Sequence, residues 1–156
     1  MDLKTKMMIS IIVPCLNEEE VLPLFYQSVE ALLPELGAEI EYVFVDDGSS
    51  DGTLELLKAY RVQNPAVHYI SFSRNFGKEA ALYAGLQHAT GDLVVVMDAD
   101  LQDPPSMLLE MKAKIIEFYH QFLHKTLKTN PKKVEQYSRK ALTQRLAKCI
   151  ENNLSS

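Results

Sequence analysis

The chain has 156 residues, 47% of them hydrophobic and 24% charged, with a formal net charge of −5; this suits one domain with a sizeable core and excludes a disordered or collagen-like chain. Its two cysteines, Cys15 and Cys149, lie far apart and form no CxxC pair, which argues against a disulfide scaffold or structural zinc and for a reducing, cytoplasmic setting. No stretch approaches the roughly 18 apolar residues that span a bilayer, and the run Met7–Leu16 behind Lys4 and Lys6 ends in LNEEE, so it reads as a first strand and not as a signal peptide.

In chain order, that first strand is ISIIVP, followed by PCLNEE and a helix expected over Glu19–Leu36, where Val21, Leu24, Phe25, Val29, Leu32 and Leu33 recur at a spacing near the helical period. EYVFVDD reads as a second strand running into GSSDG, and Thr53–Tyr60 as a second helix with Asp51 placed to cap it. VHYISFS is a third strand, SRNFGK a loop, and Lys78–Ala89 a third helix. DLVVVMDAD is a fourth strand that leaves its carboxylates at the end of an apolar run. Beyond Pro104-Pro105 a helix is expected to continue past Glu117 to about Lys128, where Asn130-Pro131 breaks it, and a second amphipathic stretch carries Val134, Tyr137, Ala141, Leu142, Leu146 and Ile150 on one face.

Strands alternating with helices imply a mostly parallel, Rossmann-like α/β sheet with helices on both faces and ligands outside the carboxyl ends of the strands. A helical C-terminal segment follows. Charge divides the chain similarly: residues 1–111 carry 6 basic and 18 acidic residues, and residues 112–156 carry 10 and 3. The division expected is an acidic nucleotide-binding region over 1–117 and a basic helical tail over 118–156, packed on the same domain. The amphipathic tail also offers a peripheral contact with anionic lipid.

The chemistry gathers at the strand ends. Asp46 and Asp47, between YVFV and a turn rich in glycine and serine, can accept hydrogen bonds from a nucleobase or ribose, the glycines letting backbone approach a ligand. Asp98 and Asp100 stand two apart, so that in an extended segment they share a face and converge on one hard cation, Mg²⁺ or Mn²⁺, with Gln102 adding a neutral oxygen. In SRNFGK, backbone N–H groups at a helix start favour an anion, and Lys78 can meet a phosphate. His120 and His124 stand four apart but lack a third ligand nearby, and they read as a solvated face.

Together VPCLNEE, VDDGSSDGT, SRNFGKEAAL and DADLQDPP resemble the family 2 glycosyltransferases of the GT-A fold, nearest to polyprenyl-phosphate sugar transferases such as dolichol-phosphate mannose synthases and bactoprenol glucosyltransferases. The resemblance covers about residues 8–117. It implies that Pro14, Asn17 and Glu18 lie near the nucleotide base and ribose, with Asp46 at the base. Asp98 would lie near ribose and pyrophosphate and act with Asp100 in catalysis, Asp100 and Gln102 would ligate the cation, and Lys78 would lie close to the donor.

The function so implied is transfer of a hexose from a UDP- or GDP-sugar to an acceptor, a polyprenyl phosphate in cell-envelope polysaccharide synthesis, with inversion. Nucleic acid is not among the expected partners, and the place expected is the cytoplasm or the inner face of its membrane. Two alternatives stand beside it: a catalytically incomplete nucleotide-sugar-binding module that lacks the acceptor half, and a Mg²⁺-dependent phosphotransfer domain built around an aspartyl nucleophile.

Overall fold

The computed structural model describes residues 7–126. Four strands, β1 (Met8–Cys15), β2 (Glu39–Asp46), β3 (Val67–Ser71) and β4 (Leu93–Val96), form one parallel sheet in the order β3-β2-β1-β4. Helix α1 (Leu22–Leu36) joins β1 to β2, α2 (Thr53–Gln63) joins β2 to β3, α3 (Lys78–His88) joins β3 to β4, and α4 (Met107–Leu123) follows β4. The first three strands step outward in one direction and the fourth returns to the other side of β1. Right-handed crossovers then put α3 on the opposite face from α1 and α2, and the reversal leaves a crevice between the carboxyl ends of β1 and β4.

Alternation along the strands sets the two faces. Ile9, Ile11 and Val13 of β1, with Ile40, Tyr42 and Phe44 of β2, pack with Leu22, Phe25 and Val29 of α1, Leu57 of α2 and Leu108 of α4. On the other face α3 lies directly on β1, where a side chain at Gly85 would meet Ile12 Cγ2 at 2.4 Å. Both faces of the central strands are covered, which is why IIV and YVFV read as continuous apolar runs. Polar groups on the α3 face are satisfied: the buried Glu41 carboxylate accepts from Ser10 Oγ, from Thr90 N–H at 2.9 Å and from Thr90 Oγ1 at 2.7 Å.

The helix bounds differ from those expected in ways that have local causes. α1 begins at Leu22 and not at Glu19, because residues 18–21 form a turn in which Val21 and Leu22 N–H donate to Glu18 carbonyl and Pro23 presets the first helical turn. The N-cap position of α2 is Gly52, not Asp51; Asp51 stands one residue earlier and accepts from Thr53 N–H at 3.0 Å. α2 also runs on to Gln63, where Arg61 donates to the carbonyls of Pro65 and Val67. α4 ends at Leu123, before the expected Lys128, with Lys125 in the left-handed conformation at φ +56° and Thr126 N–H closing on the Gln121 carbonyl. The chain divides after Ala113 into two compact units, inside α4. The break expected at Asn130-Pro131, the stretch from Val134 to Ile150 and most of the basic tail lie outside the described residues. Among the described residues no helix is long and apolar enough to cross a membrane.

Candidate functional site

A cleft of about 370 Å³ opens at the carboxyl ends of β1 and β4, at the reversal of strand order. Pro14 and Glu18 reach it from the end of β1, Asp47 from the end of β2, Gly77 and Lys78 from the start of α3, and Asp98 and Asp100 from the segment after β4. Six of the nine residues singled out in the sequence thus line one cavity. Asn17, Asp46 and Gln102 do not.

Those three have defined places nearby. Asn17, at φ +57°, accepts from Ser50 N–H at 2.8 Å through its side-chain oxygen, while its own N–H donates to Ser49 Oγ at 2.9 Å. Glu18 N–H donates to Thr53 Oγ1 and Glu19 N–H to Asp51, so the loop after β1 is fastened along its length to the loop after β2. Asp46 is 1% exposed; its carboxylate accepts from Ser49 N–H and from Ser71 Oγ, both at 2.9 Å, and ties the turn after β2 to the end of β3. Gln102 is exposed, and its N–H donates to Asp100 Oδ1 at 3.0 Å, fixing the DADLQ turn in which Leu101 stands at φ +60°.

Asp47 has a role that the sequence did not disclose. Its two oxygens accept from the N–H groups of Phe76 at 2.7 Å and Gly77 at 2.9 Å. The anion expected at the start of α3 is therefore supplied, for these two N–H groups, by the protein's own carboxylate. Gly48 works with it: at φ +74° its missing side chain makes room for the backbone of Arg74 and Asn75, so its glycine serves a contact between loops and not an approach to a ligand.

The charge in the cleft is lopsided. Glu18, Asp47, Asp98 and Asp100 line it with one cation, Lys78, whose Nζ donates to Asp98 Oδ2 at 2.7 Å. That hydrogen bond, ahead of the other effects, raises the ammonium pKa above its ordinary value. The Glu18 carboxyl is pushed up first by burial and then by the negative charges of Asp100, Asp51 and Asp98. Cys15, 1% exposed at the end of β1, has its thiol pushed up by burial and then by Glu18, Asp46 and Asp51, which holds it protonated and poorly nucleophilic.

Asp98 and Asp100 offer only oxygens to the cleft, as a hard cation prefers, and the excess negative charge that perturbs Glu18 is of the kind a divalent cation offsets; Gln102, outside the lining, would have to turn its amide oxygen toward them to join the set. Among the described residues no three His, Cys, Asp or Glu side chains are gathered into a metal-binding group. Such a set would share its cation with water or ligand oxygens, as Mg²⁺ commonly does.

The sequence model described as Glycosyl transferase family 2 matches residues 10–154, running past the stretch in which motifs are legible by eye. The bactoprenol glucosyl transferase of Shigella phage SfX is 48% identical over 111 residues, 71% of this chain and 35% of that protein. Among solved structures, S. aureus TarS 1–349 in complex with UDP-GlcNAc is similar with a TM-score of 0.57 at 28% identity, over 72% of this chain and 32% of that one. The mannosyltransferase PcManGT from Pyrobaculum calidifontis, in complex with GDP-Man and Mn²⁺, is similar with a TM-score of 0.51 at 29% identity, over 68% of this chain and 31% of that one. The chain spans about a third of the length of the curated relatives it matches.

Proposed function

This chain belongs to glycosyl transferase family 2, and from that membership we propose that it provides the donor-binding part of a sugar transferase acting on a UDP- or GDP-hexose with a polyprenyl phosphate as acceptor. The observation that carries the reading is the convergence of Glu18, Lys78, Asp98 and Asp100 on one cleft at the strand-order reversal. Two similar structures are described with UDP-GlcNAc and with GDP-Man and Mn²⁺, which supports a nucleotide-sugar donor and leaves UDP and GDP as parallel candidates. The bactoprenol glucosyl transferase relative supports a lipid-phosphate acceptor. Membership in a sugar-transfer family weighs against the phosphotransfer alternative.

In this reading Pro14, Glu18 and Asp47 line the nucleoside side of the cleft, with Asn17 and Asp46 in the loops behind it. Asn17, Asp46 and Asp47 act mainly by holding the loops that shape it, since their side-chain oxygens are engaged within the protein. Asp98 and Asp100, with Gln102, would hold Mg²⁺ or Mn²⁺, which would supply positive charge against the leaving diphosphate. Lys78 stands where its ammonium can meet the same phosphates, adding a protein charge to that stabilisation. A lipid phosphate is already largely ionised at neutral pH, so inverting attack on the anomeric carbon requires no base from this chain. Any operation at the inner face of the membrane would follow from the acceptor.

Calorimetric titration of UDP and GDP with and without Mn²⁺ tests the donor site. One nucleotide should bind tenfold or more tightly with the cation, and Asp100→Ala should remove that dependence; equal, metal-independent affinity in both proteins would refute the cation assignment. The alternative reading is a nucleotide-sugar-binding module without turnover. Donor binding without sugar transfer to a polyprenyl phosphate would select it.

A further inference from the structure

Lys78 is the sole lysine or arginine among the described residues lining the cleft, and it is bound to the acid nearest the strand end, Asp98. Three further carboxylates share the lining, but Asp47 is already engaged by two backbone N–H groups. Lys78 therefore serves as counter-ion to a cluster that otherwise consists of Glu18, Asp98 and Asp100. The pair is exposed on both sides, 56% for the Lys78 side chain and 41% for that of Asp98, and such pairs contribute little to stability. The Asp47 bonds fix the backbone at Phe76 and Gly77, immediately before Lys78, while the ammonium sits on a flexible four-carbon stem. The charge can move although the loop is held.

We propose that Lys78 is a stand-in cation: without ligand its ammonium occupies an Asp98 oxygen that a divalent cation would use, and a nucleoside diphosphate draws it away and opens the carboxylate to the metal. The inference rests on the donor-site reading above and adds an order of events to it. Cation and nucleotide each bind weakly alone and strengthen one another, reciprocally as linkage requires. The device offsets part of the negative charge of the acidic cluster between ligands and keeps a free divalent cation from occupying it without a donor.

The test is the affinity of Mn²⁺ alone, followed by the paramagnetic signal of the free ion, in the wild-type chain and in Lys78→Met. Because a nucleoside diphosphate chelates Mn²⁺ in solution, cooperativity by itself does not discriminate, and the cation-only titration decides. Removing Lys78 should tighten Mn²⁺ about tenfold, because a monovalent and a divalent cation a few ångströms apart repel strongly even at a water-like dielectric, and should weaken UDP or GDP measured without metal. Arg74→Met removes a nearby cation that stacks on Phe76 and should change Mn²⁺ affinity less than about twofold, as a screened charge does. Lys78→Arg, which keeps the charge, should stay near wild type for Mn²⁺ alone. Equal effects of Lys78→Met and Arg74→Met, or unchanged Mn²⁺ affinity in Lys78→Met while the nucleotide still binds, would overturn the stand-in role and leave the donor site intact. A wild-type chain that binds neither UDP nor GDP, with or without Mn²⁺, would overturn the donor site and this inference with it.

Discussion

Asp47 and Gly77, 30 residues apart, are joined by a hydrogen bond of 2.9 Å from the Gly77 N–H to the Asp47 carboxylate, with the Phe76 N–H on the other oxygen at 2.7 Å. The end of β2 thereby sets where α3 begins, and hence where Lys78 enters the cleft. In Asp47→Asn an amide NH₂ would replace one acceptor and face a donor. Loss of a hydrogen bond to a buried charged group costs about 1.5–3 kcal/mol, so urea unfolding should show a loss of that size together with weaker nucleotide binding. Wild-type stability and affinity in this variant would mean that the loop is held by other contacts.

Gly48 and Gly37 separate two costs that a single alanine substitution usually mixes. Both have positive φ, +74° and +56°, but a side chain at Gly37 would meet nothing closer than 4.0 Å, whereas one at Gly48 would stand 2.4 Å from the Arg74 carbonyl carbon. Gly37→Ala should lose about 1–2 kcal/mol, the cost of a left-handed alanine. Gly48→Ala should lose that and about 1–3 kcal/mol more from overpacking. Paired urea midpoints check this; equal losses would show that the Arg74–Asn75 backbone yields freely.

How far the sequence reveals this molecule depends on the range of the interaction. β1 and β2 were legible because burial on both faces makes their residues uniformly apolar, and the acids after β4 stood out because carboxylates at the end of such a run lack a local partner. Asp98 and Asp100 stand out for that reason and Lys78 for its place at a helix start, although the 2.7 Å contact between Lys78 and Asp98 links positions 20 apart and left no sequence signal. Asp46, Asp47 and Asn17 read in the sequence as nucleotide-binding residues, and the partners that engage them within the protein, Ser71, Gly77 and Ser50, lie far along the chain and left no local signal. The late start of α1 was likewise hidden: apolar spacing includes Val21, but residues 18–21 form a turn ahead of the helix, where the N–H groups of Glu18 and Glu19 are fastened to Thr53 and Asp51 of the loop after β2. Glycines in GSSDG read naturally as room for a ligand, and only the fold shows that Gly48 makes room for another loop.

Glu18 gives a pH-dependent prediction of one sign. Its carboxyl is raised above the ordinary 4.5 by burial and by Asp100, Asp51 and Asp98, so the folded state holds its proton more tightly than the unfolded chain does. The ionised form therefore destabilises the fold above the raised value, and the penalty fades as pH falls through that value toward 4.5. Glu18→Gln should raise the thermal midpoint at about pH 7.5 and leave it little changed at about pH 4, while weakening nucleotide binding. A midpoint that falls at neutral pH would show that the Glu18 charge is compensated in the free protein.

Glu41 gives the opposite sign at the other end of the sheet. Burial raises its pKa, but the hydrogen bonds from Ser10, the Thr90 N–H and the Thr90 hydroxyl, with His68 nearby, outweigh burial and leave it lowered from 4.5. A depressed folded value contributes stability that is complete above about 4.5 and is lost as pH falls through the folded value. Glu41→Gln keeps the size of the side chain but presents an NH₂ to groups that already donate, and should cost about 1.5–3 kcal/mol at neutral pH, with the difference from wild type shrinking in acid. Ser10 and Glu41 lie near the amino ends of β1 and β2, whereas the cleft is built at the carboxyl ends. Measured well below its melting temperature, the variant should therefore bind UDP or GDP with Mn²⁺ as the wild type does. Unchanged stability with lost nucleotide binding would reverse that expectation and place Glu41, not the acids after β4, in the ligand site.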